Sequence, residues 1–236
     1  MAAARPDFRE FRSGRHHRAW RYLVPASSLG KVLVLGDVPG MDALSAAREA
    51  GQVWTVALDA GAADQIRNRA AAESVGNLKV VVSKTGSPNG TLPFEDGRFD
   101  LVIVPGYSRN RIGLDLEATL RESRRVLATG GYFYMTADNR IRMRSAGLTL
   151  RGFRRNVERA GFRPNRWWAC FPDAMEPKYM MDLYGMGAMD YFISVFLNLD
   201  VRTGPVIRRV NRLACRLGVA PYLSPGYAVL GRKGRP

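Results

Sequence analysis

KVLVLGDVPGMDALSAAREAGQVWTVALDA, residues 31–60, decides the fold class. Lys31–Leu35 is an aliphatic run with no polar residue after its first, as in a strand covered on both faces. Gly36–Gly40 is a turn, Met41–Ala50 reads as a helix stopped by Gly51, and Val53–Leu58 is a second covered strand. Strands joined through a helix make a right-handed crossover and lie parallel in one sheet.

The same alternation extends outward. Ala62–Ser74 reads as a helix, Leu78–Val82 as a strand, Ser83–Gly90 (SKTGSPNG) as a loop, and Phe99–Val104 as the fourth strand. Leu116, Leu120, Ser123 and Leu127 share one helix face, Gly130-Gly131 ends that helix, and Tyr132–Thr136 is the fifth strand. Farther on, Leu150, Phe153, Val157 and Ala160 mark a helix with Arg151, Arg155 and Arg159 on its other side, before a sixth strand at Arg166–Phe171. Residues 172–199 are rich in methionine and aromatics, among them Met175, Met180, Tyr184 and Phe192. A second amphipathic helix carries Val206, Val210, Leu213 and Leu217 against Arg208, Arg212 and Arg216, and Tyr227–Leu230 is the last strand.

The prediction is an α/β fold: a doubly wound, mostly parallel seven-stranded sheet with a helical insertion over about 172–220. Its divisions are a basic arm at 1–29, a core at 30–138 and a second half at 139–236.

Of the 236 residues, 46% are hydrophobic and 24% charged, enough apolar content to bury a core and too much for a disordered chain. Cys170 and Cys215 are the only cysteines, which excludes a disulfide scaffold, and no cluster has metal-ligand spacing. No run of 18 apolar residues and no secretion h-region is present, so the expectation is a cytoplasmic protein. The net charge is +15; five of the 36 basic residues are lysines, so 31 are arginines. Arginines gather in residues 1–21, and no acid follows Asp200. Basic flanks of this kind point to an anionic partner, with Arg208, Arg212 and Arg216 as one candidate contact.

In doubly wound sheets, ligands bind beyond the carboxyl ends of the strands. Gly36-Asp37-Val38-Pro39-Gly40 joins the first strand to its helix there, Asp59 ends the second, and Pro105-Gly106-Tyr107 breaks the fourth. A glycine turn admits a ligand to the backbone, and an acid at that strand end is placed to accept from ribose hydroxyls.

Four stretches together, KVLVLG…G (31–40), VALD (56–59), LPFEDGRFDLVIV (92–104) and LRESRRVLATGGYFYM (120–135), resemble the successive motifs of class I S-adenosylmethionine-dependent methyltransferases. The resemblance covers about residues 30–137 and continues more loosely through GFRRNVERAGF (152–162). It implies S-adenosylmethionine as cofactor and a small-molecule acceptor, apolar, aromatic or anionic. Gly36, Asp37 and Gly40 would then line the methionine part, Asp59 with Ala60 the ribose, and Pro105 the transferable methyl. His16, His17 and Tyr107 are the candidate bases. The chain departs from the family's first turn at Val34, where an acid is usual, and at Val38 and Pro39, where a glycine pattern is usual. The alternative is therefore a methyltransferase-like protein without catalysis that binds RNA, an anionic lipid surface or a protein.

Overall fold

The apolar runs become the strands of one sheet. The computed structural model describes residues 19–25, 29–36, 40–82, 91–107, 112–140, 147–196 and 204–234. The strands are β1 (Lys31–Leu35), β2 (Gln52–Ala57), β3 (Leu78–Val82), β4 (Phe99–Val104), β5 (Leu127–Asp138), β6 (Phe162–Phe171), β7 (Tyr179–Asp182) and β8 (Gly226–Lys233). They lie in the order β3-β2-β1-β4-β5-β8-β6-β7. From β3 to β5 all neighbours are parallel, whereas β8 pairs antiparallel with both β5 and β6, and β7 antiparallel with β6.

The helices are α1 (Met41–Ala47), α2 (Ala60–Ala72), α3 (Leu116–Val126), α4 (Leu150–Arg159), α5 (Met186–Phe196) and α6 (Gly204–Arg216). Successive strand residues face opposite sides of a sheet, and β1 obeys this. Leu33 and Leu35 join the larger core with Phe133, Phe153 and Trp167 beneath α3 and α4. Val32 and Val34 pack on the other side with α1 and Trp20, the latter in a short 3-10 helix, Ala19–Tyr22. The Trp20 indole N–H donates to the buried Asp42 carboxylate at 3.1 Å, which ties this segment to α1.

Three sequence expectations need correction. Among the described residues the sheet has eight strands, because Tyr179–Asp182 forms an edge strand within the stretch read as a helical insertion. Four half-buried or exposed residues show no alternation of their own; β6 supplies the pairing that makes them a strand. Secondly, α3 is not ended by Gly130-Gly131. The chain enters β5 at the fully buried Leu127, opposite Phe99, and the glycines lie inside the strand where its register shifts. A Cβ on Gly131 would come within 3.0 Å of the Asp100 carbonyl, so close backbone approach, not helix termination, requires that glycine. Thirdly, α1 ends at Ala47, where the Asn77 side chain donates to the Ala47 and Ala50 carbonyls at 2.7 and 2.9 Å. The predicted loop at 83–90 lies outside the described residues.

The LPFEDGRFD and ESRRV stretches meet in space. Glu122, 2% exposed, accepts from the Leu92 N–H at 2.8 Å. Arg125 donates to Glu122, to the Leu92 and Phe94 carbonyls and to Asp96, all between 2.7 and 3.1 Å. These contacts, with Glu122 first, raise the Arg125 pKa further. The clamp fixes the entry to β4 and so the height at which that strand ends.

Candidate functional site at the carboxyl edge

Strand order reverses at β1, which lies between β2 and β4. Gly36 follows β1 with φ of 74°, and Gly40 has φ of 90° at the N-cap of α1, a left-handed backbone that favours glycine at both turn ends. A Cβ on Gly40 would also lie 3.1 Å from the Ile66 side chain, so α1 and α2 approach closely here. Asp37, Val38 and Pro39 lie outside the described residues, as do His16 and His17.

Asp59 sits one strand away. Its backbone is extended and its carboxylate caps α2, accepting from the Ala62 N–H at 2.7 Å. Ala60 is the first residue of that helix, and both are exposed. The cap orients Oδ1 toward the helix; a carboxylate has a second oxygen able to accept from a ligand. Glycines that allow backbone approach and an exposed carboxylate on the adjacent strand end fit the methionine and ribose parts of S-adenosylmethionine.

On the other side of β1, β4 ends in Pro105-Gly106-Tyr107, with Gly106 at φ 52°. Sequence reading missed what holds this corner. The Thr136 hydroxyl, buried near the end of β5, accepts from the Gly106 N–H and donates to the Ala174 carbonyl, both at 2.6 Å. The Tyr107 N–H donates to the Thr136 carbonyl at 2.7 Å. Asp138 accepts from the Ala174 N–H at 3.1 Å, and Asp173 turns the loop by accepting from Met175 and Glu176 N–H groups. Residues 173–175 therefore close over the ends of β4 and β5. Met175 presses on Gly106, where an added Cβ would stand 3.1 Å from its sulfur. A lone threonine at a strand end gives no sequence signal for a partner 38 residues away.

Tyr107 is 9% exposed in the main core, and its hydroxyl donates to the Leu114 carbonyl at 3.4 Å. Cys170, fully buried, has its thiol pushed up by burial first and then by Asp138 and Asp173, which leaves it in the unreactive form. Of the methionine-rich stretch, Met175 reaches this corner, while Tyr184 is exposed with Arg154 5.8 Å from its ring. Among the described residues no group of three His, Cys, Asp or Glu is arranged for a metal, and no helix is long and apolar enough to cross a membrane.

A parallel sheet reversing at β1, glycine-bounded first turn and antiparallel last strands define the class I methyltransferase fold. Residues 32–131 match the family model described as a methyltransferase domain. No curated protein matches it in sequence. Among solved structures it is similar to a putative sarcosine dimethylglycine methyltransferase from Galdieria sulphuraria (15% identity, 97% of this chain and 88% of that one, TM-score 0.59). It is similar also to geranyl diphosphate C-methyltransferase from Streptomyces coelicolor A3(2), in complex with Mg2+, geranyl diphosphate and S-adenosyl-L-homocysteine (16%, 95% and 81%, 0.59). A third is the [4+2]-cyclase SpnF (18%, 88% and 75%, 0.54). At these identities the likeness is one of fold, and the cyclase is a reminder that this fold hosts more than one chemistry.

Proposed function

We propose that this protein transfers a methyl group from S-adenosylmethionine to a small-molecule acceptor, as a cytoplasmic enzyme. The observation that carries the reading is the placement of Gly36, Gly40 and Asp59 on one side of the reversal point and Pro105 on the other. Bound there, S-adenosylmethionine supplies an electrophilic methyl on a sulfonium. Gly36 and Gly40, with Asp37 between them, let the backbone approach the methionine part. Asp59, at the start of α2 with Ala60, accepts hydrogen bonds from the ribose hydroxyls. Pro105 and Gly106 wall the acceptor side, and the Thr136–Ala174 link holds Met175 against them. Met175 makes that wall soft and apolar, which suits an irregular apolar or aromatic acceptor.

Methyl transfer is an in-line displacement, so positioning donor and acceptor supplies much of the acceleration, up to ~7–11 kcal/mol in favourable systems. The burial of Tyr107 and its bond to Leu114 suit a wall residue better than a base. His16 and His17 remain the candidates where the acceptor must lose a proton.

Calorimetric titration with S-adenosylmethionine and S-adenosylhomocysteine tests the reading, using Asp59→Ser as well as Asp59→Ala. Serine keeps a helix cap but removes the carboxylate. Micromolar binding that both variants lose supports the enzyme. Absent binding by the intact protein supports the second reading, a non-catalytic domain, which Val38 and Pro39 favour by adding bulk and removing an N–H in the first turn.

A further inference from the structure

Helix α6 turns its apolar stripe away from the protein. Val206, Val210, Leu213 and Leu217 are 57–67% exposed, whereas Ala214 and Cys215 pack into the core. Asn211 on the packed side donates to Asp190 of α5 at 2.9 Å. At 3.6 residues per turn the four apolar residues fall within about 60° of arc, and Arg209, Arg212 and Arg216 lie about 70–130° to one side. All three arginines are exposed; Arg212 also stands 3.7 Å from Asp190. The side chain of Arg208 lies outside the described residues. The apolar surface continues past α6 into Val219, Tyr222 and Leu223, all exposed. Tyr222 in turn borders a cleft of about 320 Å³ lined by Arg151, Arg154, Arg155 and Glu158 of α4.

A packed helix whose solvent side is an aliphatic stripe edged by arginines has the build of an interfacial helix. We infer that α6 and the turn after it dock the protein on an anionic phospholipid surface. The stripe enters the acyl boundary, and Arg209 and Arg216 reach the phosphates. Charge selects this occupant. No acid follows Asp200, so nothing in this segment opposes an anionic surface. A second copy packed antiparallel on the stripe would set these arginines against their own equivalents. Residues 1–18 carry five arginines to two acids and would be repelled likewise. The inference is independent of cofactor binding.

Co-sedimentation of the full chain with vesicles tests it. Binding is expected to vesicles of equal parts phosphatidylcholine and phosphatidylglycerol, to weaken with salt, and to be slight on phosphatidylcholine alone. Arg209→Gln and Arg216→Gln should each lower partitioning about five-fold. Leu213→Glu with Leu217→Glu should abolish it with an unchanged melting temperature, since both side chains are exposed. No sedimentation with the anionic vesicles overturns the inference. So does sedimentation that all these variants leave intact, which would assign binding to other arginines. A concentration-dependent dimer in light scattering, dispersed by Leu213→Glu, would give the stripe to a second copy and overturn it as well.

Discussion

In the parallel half of the sheet, α1, α2 and α3 turn their apolar residues onto the strands, and the loops are held by buried polar groups. In the antiparallel half, α6 turns its apolar stripe outward, and its ion pair with α5 is long and exposed. The difference separates two uses of the same residue types. Arg125 clamps β4's entry around a buried carboxylate, so its loss strands a charge. Arg212 flanks an open surface, so its loss changes little inside the protein.

That contrast is open to measurement. Arg125→Ala should lower unfolding free energy in urea by about 3–5 kcal/mol, because Glu122 is left buried without its partner. A loss near that expected for an exposed pair would erase the distinction between the halves. Thr136→Val should cost about 1–3 kcal/mol in the same titration, by leaving the Gly106 N–H and Ala174 carbonyl unpaired in a buried corner. Thr136→Ser should recover most of it.

Tyr227 sharpens the comparison from the other half. Burial pushes its phenol up to about 12 from the ordinary 10.0, against a smaller opposing hydrogen bond with Ser224. The folded state thus holds the proton more tightly than the unfolded chain. The stability this contributes is complete below pH 10 and is lost as the pH rises to about 12. Melting curves of Tyr227→Phe should fall less steeply over that interval than those of the parent. The smallest effect belongs to Arg212→Ala, under about 1 kcal/mol in urea; a larger loss would show that the α5–α6 pair is structural after all.

The parallel half was open to sequence reading because its demands are local. Strands covered on both faces leave continuous apolar runs such as KVLVL, and turns needing positive φ leave Gly36 and Gly40. Asp59 was found through its position at a strand end, and it does cap α2; its contact with ribose remains a proposal. The rest depends on partners distant in the chain. Tyr179–Asp182 is a strand only because β6 is beside it, and Thr136 matters through Ala174. The stripe on α6 was legible as a pattern, but helical spacing carries no mark of which side the protein covers.

β8 lies between β5 and β6, which have no direct pairing with each other. While the ribosome is still short of Gly226, β3 to β5 can already form a five-stranded sheet, but its β5 margin stays bare. The β6–β7 hairpin has nowhere to attach until Gly226–Lys233 emerge. Translation pausing before that point would hold an adhesive margin in the open, so the two parts of this sheet join only once β8 has been made.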